Sequence, residues 1–328
     1  MDPLRIVSIG GGTGLSTLLS GLKRYAGDAK QAELTAVVTV TDDGGSSGRL
    51  RRDFDVLPPG DIRNCMVALS EDEALLSRLF QYRFGGGSGL RGHSFGNLFL
   101  TALTHLTGDF PLAVRTSSEI LAIRGCIFPA TAQNVTLTAE LVNGAVVRGE
   151  TRISRSRYRI RRIHLNPEQC TPLPETLEAI EAADLITFGP GSLFTSIVPN
   201  VLVQGIPDAV RRSRALKACF INIMWQPGET IDFRASDHIA AIAEHGGDHL
   251  IDAAVLNTRP ISEPMLQRYA EQRARPVVND AERIREMGIE VVEEELLSEG
   301  EKVRHDPDAI AAVAMRLACR GRQRRTTE

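Results

Sequence analysis

Residues 5–40 read RIVSIGGGTGLSTLLSGLKRYAGDAKQAELTAVVTV and predict a strand, a helix and a second strand. The apolar run at 5–10 ends in glycines, the segment at 15–25 has helical spacing, and 34–40 is rich in β-branched residues. Neither apolar run alternates with polar residues, as is typical of strands that helices cover on both faces. The stretch therefore predicts a β-α-β unit whose two strands are parallel neighbours.

This rhythm is interrupted once and then returns. At 134–165 polar and apolar residues alternate around Asn143-Gly144, which is a strong signal for a two-residue hairpin turn. Three later segments predict strands that run into loops: DLITFGPGSLFTSI (184–197), ACFINIMWQPGET (218–230) and HLIDAAVLN (249–257).

The predicted fold is α/β and Rossmann-like, with a mostly parallel sheet and helices on both of its faces. We expect one domain over residues 1–320, with a β-hairpin insertion at about 134–165 and a C-terminal helical portion after about 260. The basic segment at 321–328 predicts a disordered tail.

The composition argues against several classes of protein. The 328 residues carry a net charge of −3, so the overall field attracts neither nucleic acid nor an anionic membrane. No apolar run approaches the ~20 residues of a membrane-spanning helix, and the N-terminus enters a strand at once. The five cysteines are widely spaced, which is typical of reduced thiols. We therefore expect a cytoplasmic protein.

Four predicted strands end in polar loops that contain glycine. In open parallel sheets, ligands bind outside the carboxyl ends of the strands, so these loops should converge on one rim. Their glycines let backbone N–H groups point at an anion. The loops are GGGTG (10–14), TDDGGSSG (41–48), GPGS (189–192) and NIMWQPGET (222–230).

The first of these loops matches neither common nucleotide fingerprint. No Lys-Ser/Thr pair follows it, and the third glycine of G-x-G-x-x-G would fall on Leu15 or Thr17. A strand, a glycine turn and a helix N-terminus still make an anion site. Phosphate binding is therefore predicted, while standard NAD(P) chemistry is not favoured.

Acidic side chains follow the second strand and recur nearby. Asp42 and Asp43 could reach a ribose or a divalent cation, and Asp61 could bind a metal or cap the following helix. Arg63, beside Asn64, is the kind of donor that holds a phosphate bidentately. His93 lies near Asn97 in GHSFGN, where it is either a packed or capping residue or a catalytic base.

The ordered series of motifs resembles one family. It consists of GGGTGLSTLLSGLK, TDDGGSSGRLR, PPGDIRN, GHSFGN, GPGSLFTSIVPN, QPGET and VRHD, and it resembles the gluconeogenesis factor (YvcK-like) family. A distant relative of that family is 2-phospho-L-lactate transferase, CofD. The resemblance runs from about residue 4 to about 318.

The resemblance implies a Rossmann-like cytoplasmic regulator that binds UDP-N-acetylglucosamine or a related UDP-sugar. Such proteins support growth and cell shape on gluconeogenic carbon sources through the supply of cell-wall precursors. The family's site corresponds here to Thr13, Asn200, Tyr269 and Arg304. Tyr269 offers a ring for stacking and a hydroxyl, but it could equally be a packed helix-face residue. Arg304 could equally form a surface ion pair.

The full set of ligand-binding candidates combines the loops with the resemblance. Asp43 and Asp61 are the candidates for a metal. Trp225 stands beside the predicted site, where it could add stacking. The ligand candidates are Gly11, Gly12, Thr13, Gly14, Asp42, Asp43, Gly45, Ser46, Ser47, Arg63, Asn64, His93, Asn97, Gly189, Gly191, Ser192, Asn200, Tyr269 and Arg304.

Three functions compete at this point. A UDP-sugar-binding regulator needs binding residues but no nucleophile and no required cofactor. A transferase like CofD would hold Mg²⁺ on a nucleotide pyrophosphate through Asp42, Asp43 or Asp61. An NAD(P) oxidoreductase is disfavoured by the broken fingerprint.

A regulatory protein partner fits the first function, and the helices after 260 could form a homo-oligomer interface. The seven arginines in 146–165 form either a solvated face or a partner surface.

Overall fold

The computed structural model describes residues 2–27, 31–70, 75–87 and 89–327. Two short non-α helices accompany the α-helices, a 3₁₀ turn at Lys23–Tyr25 and a π-helix at Leu193–Ile197. The strands within these ranges are β1 (Leu4–Gly10), β2 (Ala32–Val38), β3 (Cys126–Pro129), β4 (Thr136–Leu141), β5 (Val146–Arg148), β6 (Ile160–Asn166), β7 (Leu185–Phe188), β8 (Leu216–Phe220), β9 (Ala253–Asn257), β10 (Glu290–Glu294), β11 (Leu297–Glu299) and β12 (Val303–His305).

The α-helices lie between these strands and at the C-terminal end. They are α1 (Gly12–Leu22), α2 (Gly45–Phe54), α3 (Gly60–Leu69), α4 (Leu75–Gln81), α5 (Phe95–Thr107), α6 (Phe110–Ile120), α7 (Glu150–Ile153), α8 (Pro174–Ala182), α9 (Val198–Val201), α10 (Ile206–Arg212), α11 (Ala235–Gly246), α12 (Glu263–Glu271), α13 (Ala281–Glu286) and α14 (Pro307–Thr327).

The main sheet has seven strands in the order β10-β9-β8-β7-β1-β2-β3 among the described residues. Every neighbouring pair in it is parallel, so the prediction of a mostly parallel Rossmann-like sheet is confirmed. The chain moves from β1 to β2 in one direction and from β7 to β8 in the other. Because such crossovers are right-handed, their helices cover opposite faces. The gap between the ends of β1 and β7 is therefore the topological switch point, where ligands bind in such sheets.

The core begins at the segment that predicts the fold. Leu15, Leu18, Leu19 and Leu22 recur at helical spacing along α1, and all four are fully buried. Burying a leucine side chain contributes roughly 1.5–3 kcal/mol, so this stripe fixes α1 against the sheet. The position of α1 in turn determines where its N-terminus meets the end of β1.

The insertion folds as a small sheet of its own. β4 pairs with both β5 and β6 in antiparallel register, and the turn between β4 and β5 contains Asn143 and Gly144, as predicted. Because these strands pair with one another, all seven strands of the main sheet can be parallel. The seven arginines of 146–165 are exposed, as both a solvated face and a partner surface require.

The predicted disorder of the basic tail is wrong for residues 321–327. Helix α14 continues through Thr327, and Glu328 lies outside the described residues. Asp184, a buried residue at the start of β7, holds the helix end. Its carboxylate accepts from Arg322 Nε at 2.9 Å, from Arg325 Nη1 at 3.2 Å and from the Arg5 N–H at 2.8 Å. These partners are distant in sequence, so the tail's composition does not reveal the clamp.

No single helix within the described ranges has the length and apolar character needed to cross a membrane. One pair of helical segments, Leu193–Val201 with Ile206–Arg212, passes that test only when taken together, and it is bent by 74°.

Candidate functional site

A cleft of about 520 Å³ opens at the switch point. Its floor is the glycine turn between β1 and α1, together with the loop after β7. One wall is the segment that follows β8, and the opposite side carries Tyr269 and the hairpin of β11 and β12. Three of the four predicted glycine loops therefore meet in one cavity. The fourth, at 41–48, follows β2 and lies on the far side of the glycine turn.

The glycine turn presents the N-terminus of α1 to the cleft. Gly11 is the N-cap, has an extended backbone and offers no side-chain cap. The first N–H groups of a helix have no partner inside it, and they carry the positive end of the helix dipole. The turn also packs tightly, because a Cβ at Gly14 would lie 2.3 Å from the Pro190 carbonyl oxygen. This arrangement suits a phosphate or another anion.

Two amide side chains hold the loops of the cleft wall together. Asn222 Nδ2 donates to the Gly191 carbonyl oxygen at 2.9 Å, and Gln226 Nε2 donates to Ser192 Oγ at 2.7 Å. Trp225 lies between them in the chain and lines the cleft, with its indole N–H donating to the Phe233 carbonyl oxygen at 2.8 Å. The segment after β8 is thus fixed, and it supplies an aromatic ring to the site.

Two cations face the glycine turn from the hairpin. Lys302 and Arg304 line the cleft and are exposed. Neither side chain forms a hydrogen bond or an ion pair with any part of the chain that the structure describes. Arg304 therefore does not form the surface ion pair that the sequence left open. A free guanidinium and a free ammonium are available to a ligand.

Tyr269 positions the strand that carries Arg304. Its ring packs with Ile223 and Met224 in a small hydrophobic cluster, and its hydroxyl accepts a hydrogen bond from the Val303 N–H at 3.0 Å. The ring also lines the cleft. Both readings of Tyr269 from the sequence, a packed residue and a residue of the site, therefore describe its position.

We expect Tyr269→Phe to loosen the hairpin while the hydrophobic cluster stays intact. The Val303 N–H would lose its acceptor, which costs about 1 kcal/mol or roughly fivefold in local opening. Amide hydrogen exchange at Val303 measures this directly. Tyr158→Phe, at an exposed tyrosine of the insertion, is the matched control. An unchanged exchange rate in Tyr269→Phe would mean that the hydroxyl does not brace the strand.

A buried polar network lies behind the turn rather than in the cleft. Ser46 Oγ and His93 Nδ1 are hydrogen-bonded at 3.0 Å, and Asn97 Nδ2 donates to Ser47 Oγ at 3.4 Å. All four side chains are buried. Burial, and then the charge of Arg49, lower the pKa of His93, so the imidazole stays neutral at pH 7. His93 is a packed residue that joins the start of α2 to the chain before α5.

Carboxyl groups crowd this same region. Burial and the Asp42 carboxylate raise the pKa of Asp61 to about 7, although the Gly12 N–H donates to it. Burial, followed by Asp42 and Asp61, raises the pKa of Glu150 well above its usual range. Burial also raises the pKa of Asp42. Part of this group therefore holds protons near neutral pH, and Asp61 supports the glycine turn from behind.

The predicted metal ligands do not fit a metal centre in this arrangement. Asp43 Oδ1 accepts from the Thr151 N–H at 2.8 Å and from Thr151 Oγ1 at 2.6 Å. Asp61 accepts a hydrogen bond from the Gly12 N–H and packs behind the glycine turn. Across the described residues, no group of three or more His, Cys, Asp or Glu side chains could hold a metal ion. Asp43 instead ties the loop after β2 to α7 of the insertion.

The structure divides the sequence-predicted residues into two sets. Those that line the cleft are Gly11, Gly12, Thr13, Gly14, Gly191, Ser192, Tyr269 and Arg304. Those that do not line it are Asp42, Asp43, Gly45, Ser46, Ser47, Arg63, Asn64, His93, Asn97, Gly189 and Asn200. Arg63 and Asn64 lie in an adjoining groove.

Asn200 supports the floor of the cleft from below. It is fully buried, and its Nδ2 donates to the Gly10 carbonyl oxygen at 3.1 Å and to the Ser196 carbonyl oxygen at 2.6 Å. Its side chain fixes the end of β1 to the π-helix after β7. Asn200 would therefore affect a ligand in the cleft only by holding the glycine turn in position.

Several cleft residues escape the sequence analysis. Asn222 and Gln226 lie in a loop already singled out for its glycine, and Lys302 lies beside the VRHD motif. Glu229 is buried and accepts from the Phe194 N–H at 3.1 Å and from Thr195 Oγ1 at 3.1 Å. Burial lowers the pKa of His305 to about 4, so this cleft residue is neutral at pH 7. Glu229 lies within the QPGET motif, but the motif does not reveal its partners, because they follow a different strand.

Comparison with known proteins agrees with this architecture. A family model described as 2-phospho-L-lactate transferase CofD matches residues 6–297. The gluconeogenesis factor of Bacillus subtilis is 46% identical over 314 residues, covering 95% of this chain and 98% of that protein. The gluconeogenesis factor of Listeria innocua is 44% identical over 308 residues, covering 94% and 93% respectively.

A solved structure shares the fold over the same length. The crystal structure of a upf0052 family member from Bacillus halodurans superposes with a TM-score of 0.92 at 43% identity, covering 96% of this chain and all of that one (100%). Since sequence and fold agree over nearly the whole chain, the protein belongs to the gluconeogenesis factor (YvcK-like) family, within the CofD superfamily.

Proposed function

We propose that the cleft binds UDP-N-acetylglucosamine or a related UDP-sugar, and that the protein regulates the supply of cell-wall precursors on gluconeogenic carbon sources. The role as a gluconeogenesis factor is supported by the names of close relatives. The single observation that carries the ligand proposal is the pairing of an uncapped helix N-terminus with two free cations across one cleft.

The nucleotide part of a UDP-sugar has counterparts in the cleft. The pyrophosphate suits the glycine turn and the N-terminus of α1, with Lys302 and Arg304 opposite. The uracil and ribose suit the segment that carries Trp225 and Asn222, where a ring and amide groups are exposed to the cleft. A volume of about 520 Å³ lies within the range of small-ligand sites.

The groups around the cleft favour binding over turnover. Glu229 is buried and accepts from the Phe194 N–H, from Thr195 Oγ1 and from Ser154 Oγ, and His305 is a buried neutral imidazole. Ser154 Oγ of the cleft lies 3.4 Å from Glu229 Oε1, but the same carboxylate also accepts from the Phe194 N–H and from Thr195 Oγ1. Glu229 therefore joins two loops and is not a base reserved for one hydroxyl. A protein that binds a precursor and signals through a partner needs no such group.

Calorimetry with UDP-N-acetylglucosamine, GDP and NAD(P) tests the proposal, with Mg²⁺ and with EDTA. We expect UDP-sugar binding that EDTA does not weaken. Arg304→Gln should lower the affinity by roughly 10–100-fold, because a charge-assisted hydrogen bond to phosphate is lost. Arg268→Gln is the matched control, since Arg268 is exposed on α12 and does not line the cleft. Equal affinity for UDP-sugar and NAD(P), or no effect of Arg304→Gln, would contradict the proposal.

The crowded carboxyl groups favour a second candidate, a phospho-group transferase like CofD. Asp42, Asp61 and Glu150 are the kind of groups that a bound cation would neutralise, and burial has raised the pKa of each. The arrangement seen here does not form a metal centre, so no catalytic step through Mg²⁺ is derived. Mg²⁺-dependent binding of GDP, with slow consumption of an activated substrate, would favour the transferase.

A further inference from the structure

A second cavity adjoins the cleft on the other side of the α1 N-terminus. This groove has a volume of about 410 Å³ and lies between α1 and α3, with Gln81 of α4 at its side. It shares Thr13, Thr17 and Arg304 with the cleft. The two cavities are therefore continuous, and Arg304 stands at the boundary between them.

The groove contains a cation that forms no ion pair within the described residues. Arg63 lines it and is only partly exposed. Its Nη2 donates to Asn64 Oδ1, while its Nε is buried and has no partner within the described residues. Burial, and then the charge of Arg83, lower the pKa of Arg63, although the more distant Asp61 and Asp42 carboxyl groups raise it. A partly buried guanidinium without a carboxylate partner is costly, and an anion would relieve that cost.

The position of Arg63 is fixed by packing rather than by solvent. A Cβ at Gly96 would lie 2.9 Å from both Cγ and Cδ of Arg63, so the glycine of α5 leaves room for the arginine stem. The guanidinium is thus held in place before any ligand arrives. Such preorganisation reduces the entropy that binding must overcome.

The serine and threonine hydroxyls of α1 that line the groove already donate to backbone carbonyl oxygens, so the arginines are the main donors for a ligand. Ser16 Oγ and Thr17 Oγ1 donate to the Thr13 carbonyl oxygen at 3.0 Å and 2.8 Å. Ser20 Oγ donates to the Thr17 carbonyl oxygen at 2.8 Å. Their protons are therefore already used, and a ligand anion in the groove would be held by guanidinium groups. Planar guanidinium groups match the oxygens of a phosphate.

We propose that this groove is a second ligand subsite, which binds the phosphate group of a small anionic molecule between Arg63 and Arg304 while the cleft is occupied. The proposal rests on the proposed function only for the identity of the ligand in the cleft. It makes the protein a receptor for two ligands at once, one on each side of the α1 N-terminus.

Inorganic phosphate is the probe, titrated by calorimetry and by NMR shifts of α1 and α3 amides. The protein is measured alone and saturated with UDP-N-acetylglucosamine. We expect phosphate to bind in both states, at the groove. Arg63→Gln should weaken phosphate binding at least about tenfold and change the UDP-sugar affinity by less than about twofold. Arg52→Gln, which removes an exposed charge of α2 outside the groove, should change neither.

A second variant protects the test against a folding defect in Arg63→Gln. Ala68→Glu leaves Arg63 in place and adds a negative charge to the α3 wall of the groove, so it should also abolish phosphate binding. Displacement of phosphate by UDP-N-acetylglucosamine would overturn the proposal, as would phosphate binding that both variants retain. If the cleft binds no UDP-sugar, the proposed function fails, while phosphate binding to the free protein still decides whether the groove is an anion site.

Discussion

Gly14→Ala is expected to cost about 3 kcal/mol of unfolding free energy or more, and to abolish ligand binding in the cleft. The new Cβ would lie 2.3 Å from the Pro190 carbonyl oxygen and 2.7 Å from Gly191 Cα, both of which are backbone atoms. Backbone cannot rotate away as the end of a side chain can. The start of α1 must therefore move away from the loop after β7, which separates the two halves of the cleft floor.

Gly12→Ala is the matched control, two residues earlier in the same turn. Its φ is +62°, and the nearest atom to a new Cβ would be Ser196 Oγ at 3.7 Å. There is room for the methyl group, so the only cost is that of an alanine in the left-handed conformation. We expect this to lower the unfolding free energy by roughly 1–2 kcal/mol. Urea unfolding and calorimetry on both variants measure the two effects. Equal losses in the two variants would show that close packing at Gly14 is not the cause.

The double variant Arg322→Ala/Arg325→Ala is expected to lose about 3–5 kcal/mol of unfolding free energy. Asp184 is 1% exposed at its side chain, while the two arginines are 30% and 29% exposed. Removing the arginines thus leaves a buried carboxylate whose remaining partner is the Arg5 N–H. Urea unfolding measures the loss.

A third substitution shows whether the double variant loses stability through the buried charge or through lost packing. Adding Asp184→Asn to the double variant should restore part of the stability, because the neutral amide costs less to bury than the carboxylate. Arg320, on the same helix α14, forms an exposed ion pair with Glu290 of β10. Arg320→Ala removes this pair and should cost no more than about 1 kcal/mol of unfolding free energy. If the triple variant were less stable than the double, the loss would come from packing of the helix end.

Local patterns predict the parts of the fold that depend on neighbouring residues. The β-α-β unit follows from apolar runs on either side of a helical segment, and the hairpin follows from Asn143-Gly144. The end of α14 depends on a different kind of contact. Its basic residues resemble a disordered tail until Asp184, which is 138 residues from Arg322, accepts their hydrogen bonds. Composition cannot show a partner at that distance.

The site is predictable to a similar extent. The glycine turn and the loop after β7 line the cleft because both follow strands that flank the switch point. The loop with Asp42 and Asp43 also follows a strand, yet β2 lies one strand farther from that point. Its carboxylates therefore support the turn from behind. The order of the strands in the sheet decides whether a loop lines the cleft or lies behind it. That order depends on which strands pair, and the motifs of the sequence do not show the pairing.

The clamp on Asp184 also bears on how the protein is made. Arg322 and Arg325 are synthesised 138 and 141 residues after Asp184, which directly precedes the central strand β7. Until α14 has been synthesised, the joint between β1 and β7 contains a carboxylate without its counterions. The cleft lies at the other end of those same two strands. The cleft should therefore become stable in a nascent chain only after α14 has emerged, and chains that stop before Arg322 should be removed by proteases.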